Sequence, residues 1–262
     1  MSTRVRLDAL LADRGSFSSR TAAARAVRAG DVRLGPDGPV ALRPGQMVAD
    51  ETVPVVAERK RFVSRGGEKL EHALGRLGVD PDGLDCLDVG ASTGGFTDCL
   101  LQRGATRVIA LDVAYGQLDD RLRRDPRVIE VNRRNARELR PEELAFRPAL
   151  ATVDVSFISL AKVLPAVREA LAEGGELLAM VKPQFELGRK RVGRGGVVRE
   201  EGLRREAILG VARCCQELGL AVRGVAYSGL PGPKGNRETF VHATCEDAPV
   251  EDLEAALAEV EV

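Results

Sequence analysis

From residue 84 to residue 182 the chain repeats one pattern: a short apolar run, a turn rich in Gly or Pro, a stretch of helical periodicity, and another apolar run. The apolar runs fall at 84–89, 107–112, 127–131, 149–154 and 175–182. Runs of this length between turn residues are strands, and strands without polar alternation are buried on both faces. Helices are expected over about 67–78, 95–103, 117–124, 160–172 and 200–218, with two more strands over 220–228 and 238–245. Strands that alternate with helices build a mainly parallel sheet covered on both sides, so the fold class is α/β. The same pattern says where function belongs. Open parallel sheets take their ligands beyond the carboxyl ends of the strands.

The first 60 residues read differently. Leu7, Leu10 and Leu11 share one helical face, and Ser18-Ser19 precedes RTAAARAVRAG, a helix that Gly30 closes. Val32–Leu34, a Gly-Pro-Asp-Gly turn, and strand material from Met47 to Val56 follow. Residues 1–60 are therefore expected as a small α+β domain, 61–65 as a linker, and 66–262 as the large domain. The segment 183–199 is long and basic for a connection, which makes it a candidate mobile substrate loop.

Composition narrows the function classes. No run of about 18 apolar residues exists, and MSTRVRLDALLADRG lacks a signal-peptide core, so a membrane protein or a secreted toxin is disfavoured. Cys86, Cys99, Cys214, Cys215 and Cys245 form no CxxC pair, and with only His72 and His242 no metal site is expected. A reducing cytoplasm suits such free thiols. The net charge of zero hides an arginine-rich N-terminal third and an acidic C-terminal tail, which leaves a nucleic-acid partner open.

The stretch LDCLDVGASTGGFTDCLL sets a strand end, Asp88-Val89-Gly90, against a helix start at Gly94-Gly95. Glycines there let a ligand approach the backbone at a helix N-terminus. The spacing GxxxGG is not the GxGxxG of a dinucleotide site, which disfavours a dehydrogenase. The next strand ends in Asp112, a carboxylate able to bind both hydroxyls of a ribose. Together these resemble the S-adenosylmethionine pocket of class I methyltransferases. That resemblance implies a Rossmann-like, seven-stranded, mostly parallel sheet. It also implies cofactor contacts at Asp88, Gly90, Ala91, Ser92, Thr93, Gly94, Gly95, Phe96, Asp112, Asn135 and Asp154.

Three further polar residues stand at turns. Lys182 ends the run LLAMV just before Pro183, Lys69 lies in the first turn of a helix in FVSRGGEKL, and Glu238 lies in GPKGNRETF. There are only six lysines in 39 Lys plus Arg, so lysine at such positions is a choice of residue type. With Asp154 in DVSF, they give Lys, Asp, Lys and Glu in an order that resembles the catalytic tetrad of FtsJ-like ribose 2′-O-methyltransferases. The Asp-Val-Ser-Phe that follows the fourth strand argues against amino-group methylation, and the lack of a nearby cysteine against attack on a pyrimidine ring. The whole chain resembles the TlyA, or hemolysin A, family of ribosomal RNA 2′-O-methyltransferases through RLDALL, SRTAAARAVRAG, FVSRGGEKL, LDVGASTGGFTDCLL, DVSFISL, MVKPQFELG, GGVVR and GNRETF. Membership would make residues 1–60 an S4-type RNA-binding domain and the substrate a cytidine ribose in 16S or 23S ribosomal RNA. Leu34-Gly35-Pro36-Asp37-Gly38 departs from the Val-Asn-Gly turn common in S4 domains.

A ribose hydroxyl is a poor nucleophile, so the enzyme must orient it and take or screen its proton. Lys182 is the candidate for either task. A second cation and burial favour a neutral lysine and a carboxylate opposes it, so Lys69, Asp154 and Glu238 set its state and place. Arg4, Arg6, Ser19, Arg20, Arg25 and Arg28 are expected to meet RNA phosphates, with Arg65 and, in the long loop, Arg189 and Lys190. Two other classes remain open to test, a pore-forming hemolysin and a protein that only binds RNA. Oligomeric state and the modified nucleotide are not legible.

Overall fold

The computed structural model describes residues 3–28, 30–36, 38–56, 61–188, 191–193, 195–232 and 234–245. It divides into two units, Met1–Arg61 and Phe62–Val262. The first contains β1 (Arg4–Arg6), α1 (Leu7–Asp13), α2 (Arg20–Arg28), β2 (Val32–Arg33), β3 (Met47–Ala49) and β4 (Val55–Val56). β1 pairs with β3 and β2 with β4, both antiparallel. Leu7, Leu10 and Leu11 fall on one face at helical spacing and close over Ala23, Ala26, Val27, Val32 and Val48. The small alanines of α2 let the two helices approach closely. Ser19 Oγ accepts from the Ala22 N–H and opens α2, while Gly30 at φ 79 ends it in the left-handed conformation that glycine favours.

The second unit is built on a seven-stranded sheet. Its elements are α3 (Arg65–Leu77), β5 (Asp85–Val89), α4 (Gly95–Gln102), β6 (Arg107–Leu111), α5 (Asp120–Arg123), β7 (Val128–Val131), β8 (Leu150–Val153), α6 (Leu164–Ala170), β9 (Glu176–Val181), α7 (Pro183–Glu186), α8 (Glu201–Glu217), β10 (Ala221–Tyr227) and β11 (Thr239–Thr244). The strand order is β10-β11-β9-β8-β5-β6-β7. β5 to β9 are mutually parallel, and β11 enters antiparallel between β9 and β10. Two apolar layers result. Leu70, Leu74, Leu100, Leu178, Met180 and Phe240 form part of one, under α3 and α4. Leu87, Ile109, Val153, Val167, Ala179, Ile208 and Val241 form part of the other, under α6 and α8. Burying a side chain of this size contributes about 1.5–3 kcal/mol, so the strand ends rest on a rigid platform.

Four expectations need adjustment. The linker predicted at 61–65 belongs largely to the second unit. Phe62 is 2% exposed in its core, the Val63 N–H donates to Asp98 Oδ2 at 2.8 Å, and Ser64 caps α3 by accepting from the Gly66 N–H. A Cβ on Gly67 would lie 2.3 Å from Phe62 Cγ, so that glycine exists to seat the ring. The helix expected at 160–172 is a 3₁₀ turn (Leu160–Lys162) followed by α6, because Pro165 is tolerated only in a first helical turn. The helix expected at 117–124 shrinks to α5, whose Asp119 cap fixes its start. The segment expected as a loop after Lys182 begins with the one-turn helix α7.

Candidate active site

In the sheet, β5 has β6 on one side and β8 on the other, so chain direction reverses about β5 and a cleft opens beyond its carboxyl end. Two strand ends meet there. A Cβ on Gly90 would lie 2.2 Å from the Asp154 carbonyl oxygen, and the Asp154 N–H donates to the Val89 carbonyl at 2.9 Å. Gly90 sits at φ 87. Any side chain there would force apart the ends of β5 and β8.

The other glycines of GASTGG answer to protein atoms as well. A Cβ on Gly94 would lie 2.2 Å from Leu122 Cδ1, and one on Gly95 would lie 2.2 Å from Ser64 Oγ. Their small size, expected from ligand approach, is thus required by the packing of α5 and α3. Two candidate cofactor residues turn inward. The Asp88 carboxylate is fully buried and its Oδ2 accepts from the Thr97 N–H at 2.9 Å and from Thr97 Oγ1 at 2.7 Å. It ties β5 to the start of α4 from behind the loop and presents no surface to a ligand. Burial pushes its carboxyl up to about 7, against the Thr97 hydrogen bonds and with the Asp154 charge adding to the rise. Phe96 is 4% exposed and packs on Phe240, so it too belongs to the core.

Ser92 and Thr93 are exposed at the crest of the loop, with Ser92 at φ 49, and Ala91 is buried beneath them. Asp112, half-buried at the end of β6, accepts from the Ser92 N–H at Oδ2 and from the Ala114 N–H at Oδ1, both at 2.7 Å. Each oxygen has a second lone pair left for a ligand hydroxyl. Asn135 is half-buried, and its Oδ1 accepts from the Arg137 N–H at 3.1 Å.

The four residues of the expected tetrad form two ion pairs. Lys69 Nζ bonds Glu238 Oε2 although 169 positions separate them. Lys182 Nζ lies 2.5 Å from Asp154 Oδ1 and donates a hydrogen bond to Ser156 Oγ at 2.9 Å. The Lys182–Asp154 contact is ionic rather than a well-angled hydrogen bond, so Asp154 Oδ1 is left without a hydrogen-bond donor among the described residues. Register explains the assembly. Val181 faces Thr239 in the β9–β11 ladder, so Lys182 and Glu238, one step further, stand opposite one another. Directly opposed residues share a face, and two residues back Met180 and Phe240 point into the layer under α3. α3 carries Lys69 on that side. Lys69 is 8% exposed, Lys182 9% and Glu238 1%, so these charges are enclosed and their partners are obligatory.

Residues 62–245 match the FtsJ-like methyltransferase family. The chain belongs to that family. Within it, the chain is 49% identical over 243 residues to the 16S/23S rRNA (cytidine-2′-O)-methyltransferase TlyA of Mycobacterium tuberculosis, covering 92% of this chain and 90% of that protein. Hemolysin A of Brachyspira hyodysenteriae is 36% identical over 239 residues, covering 91% of this chain and 99% of the relative. A solved structure from Streptococcus thermophilus that carries a hemolysin name superposes with a TM-score of 0.73 at 38% identity, covering 99% of this chain and 96% of that one. Among the described residues, no helix of this family member is long and apolar enough to cross a membrane.

The expected RNA-contacting residues of the first unit, Arg4, Arg6, Ser19, Arg20, Arg25 and Arg28, are all exposed. Asp8, buried, holds Arg6 through two hydrogen bonds and Arg20 at 3.4 Å, so two of these guanidiniums are pre-oriented. Arg65, in the second unit, is exposed and donates to the Pro231 carbonyl at 3.3 Å. Arg189 and Lys190 lie outside the described residues. Sequence reasoning missed three polar side chains near the site. Ser156 is the partner of Lys182. Glu186 accepts from Ser159 Oγ at 2.6 Å and from the Leu160 N–H at 2.9 Å, and burial raises its carboxyl above the usual range. Asn236, 2% exposed, accepts from the Val198 N–H and donates to the Gly196 carbonyl, which fastens the 195–198 segment to the turn that carries Glu238. The dipeptide Gly-Asn in GPKGNRETF signals a turn, and nothing in it marks the asparagine as buried.

Proposed function

We propose that this chain transfers a methyl group from S-adenosylmethionine to the ribose 2′-hydroxyl of a cytidine in ribosomal RNA. The observation that carries the proposal is the assembly of two ion pairs, with Asp154 and Lys182 just past the carboxyl ends of β8 and β9, Lys69 on α3 and Glu238 just before β11. Nearly full-length identity of 49% to a ribosomal RNA (cytidine-2′-O)-methyltransferase supports the same substrate class.

The residues present fit the adenosyl group. Asp112 has free lone pairs on both oxygens at the distance of a second strand end, suited to a ribose diol, and Ser92 and Thr93 offer exposed polar atoms above the helix start. When bound, S-adenosylmethionine supplies a methyl on a sulfonium, whose C–S electron pair returns to sulfur as the new C–O bond forms. The protein has to do the rest. Lys182 places its amine beside the hydroxyl that attacks, where it takes the proton or holds an oxygen lone pair on line; an alignment of this kind accounts for a large part of such rate gains. Asp154 holds that amine, and Glu238 holds Lys69. The first unit acts as the RNA-docking domain of S4 type, its exposed arginines meeting phosphates and setting position rather than sequence. A ribosomal subunit as substrate places the enzyme in the cytoplasm.

Incubating unmodified ribosomal subunits with the chain and S-adenosylmethionine, then mapping ribose methyls by mass spectrometry, tests the proposal. One new 2′-O-methylcytidine is expected. A methyl on a base, or none on either subunit's RNA, overturns it. Asp112→Ala is expected to weaken cofactor binding at least tenfold in calorimetry with the melting temperature nearly unchanged; unchanged affinity removes Asp112 from the cofactor site.

A further inference from the structure

Lys182 has a partner that the two ion pairs do not account for. Its ammonium donates to Ser156 Oγ at 2.9 Å while it sits 2.5 Å from Asp154 Oδ1. The sheet sets up this meeting. Val153 pairs with Ala179 in the β8–β9 ladder, so Ser156 and Lys182, three residues further along each strand, continue the same register. Beyond Val153 the ladder stops, and other contacts keep the serine there. Phe157 turns the chain at φ 64, a conformation that a bulky side chain rarely adopts. Its ring lies tilted against Phe185 of α7, with the centroids 5.2 Å apart. Glu186, also on α7, accepts from both Ser159 Oγ and the Leu160 N–H. α7 starts directly after Lys182, so the element that follows the lysine also fixes the loop that bears the serine. A strained turn held by contacts on either side is the pattern of a geometry kept for use.

We propose that Ser156 is a positioning residue for methyl transfer, acting through Lys182. The inference rests on the 2′-O-methyltransferase function proposed above. The nitrogen of Lys182 has four tetrahedral positions, one of them bonded to carbon. Charged, it has three N–H donors; neutral, it has two and a lone pair. Ser156 accepts one N–H in either state, and the Asp154 carboxylate, in ionic contact on another side, draws a second toward itself. The one remaining, an N–H or the lone pair, is thereby fixed in direction, and it is the one a ribose hydroxyl meets. With Asp154 alone the amine turns about its Cε–Nζ bond and that direction is lost. A hydroxyl suits this task better than a second carboxylate, because it accepts a hydrogen bond without adding another negative charge to an enclosed site.

The test compares Ser156→Ala and Ser156→Thr with the wild-type chain on unmodified ribosomal subunits. Turnover, KM for RNA, cofactor affinity and melting temperature are measured on each. For Ser156→Ala, kcat is expected to fall about 10- to 100-fold, the size of a lost hydrogen bond to a charged group, while KM, cofactor affinity and melting temperature stay within about twofold or two degrees. Ser156→Thr keeps the hydroxyl and is expected to recover most of the loss. Turnover of Ser156→Ala within about twofold of wild type overturns the inference. So does a fall in kcat that threonine does not repair, or one that comes with weaker cofactor binding or a lower melting temperature, since those are marks of a loop that has merely been disturbed. A wild-type chain that transfers no methyl overturns the proposed function itself, an outcome distinct from an active wild type beside an equally active Ser156→Ala.

Discussion

The two units handle positive charge in opposite ways. In the second unit two lysines, Lys69 on α3 and Lys182 at the end of β9, are enclosed, each bound to its own carboxylate. Among the described residues of the first unit the cations are exposed arginines, of which Arg6 and Arg20 are tied to Asp8. The contrast follows from chemistry. A guanidinium stays charged at any working pH and its planar fork suits phosphates, so it serves to dock. An amine can lose its proton and rotates about a single bond, so it serves at a reacting centre once neighbours hold it. A chain with six lysines in 39 basic residues places two of them in such enclosures. On the proposed function, the contrast is between a charge used for its field and an amine held in place at a reacting centre.

The largest effect that would break this comparison is on turnover. Lys182→Ala is expected to lower methyl transfer by about 10² to 10⁴ while cofactor affinity stays within a few-fold; near-normal turnover in a labelled-methyl assay would show that the enclosed lysine is only structural. Next comes stability. Glu238→Gln leaves Lys69 buried opposite a neutral group, and breaking an enclosed pair in this way costs about 3 kcal/mol. The melting temperature is expected to fall by several degrees, and no fall would mean that the site is wetter than its burial implies.

How far these residues were legible depends on what kind of signal they leave. Strand ends are legible because apolar runs and the prolines or glycines that stop them are local, so Lys182, Asp154 and Asp112 stand out from the chain alone. Their pairing is not local. The Lys69–Glu238 bond depends on β11 entering between β9 and β10, a topology that no periodicity encodes. Glycine is legible as a residue type but not in its full reason, since the packing of Leu122 and Ser64 already requires Gly94 and Gly95 to be small. Asp88 has the position of a cofactor carboxylate and the environment of a core one. Ser156, Glu186 and Asn236 leave no local signal in the chain, and only their contacts, with the burial of Asn236, set them apart.

A third test uses pH. The ordinary aspartate pKa is about 3.9, and burial lifts that of Asp88 to about 7 in the folded chain. The folded state thus keeps a proton that the unfolded state releases. The stability from this group is complete below about pH 4 and is lost as pH rises through about 7. Asp88→Asn cannot titrate, so its melting temperature is expected to vary less than that of wild type between pH 4 and 8; equal slopes would place the Asp88 charge in a better solvated setting. The smallest effect concerns the docking face. Arg25→Ala with Arg28→Ala is expected to leave melting unchanged, weaken RNA binding, and flatten the salt dependence by about one unit per lost phosphate contact. A lower melting temperature with the salt slope intact would make these arginines structural and erase the contrast between the units.

The bond between Lys69 and Glu238 also bears on the order of events during synthesis. α3 is made long before β11, the last strand of the sheet in chain order. Until β11 has been extruded and inserted between two strands already present, Lys69 has no carboxylate and β9 has an open edge beside Lys182. The pair therefore joins an early helix to a late strand, and it can close only after nearly all of the described sheet has been made.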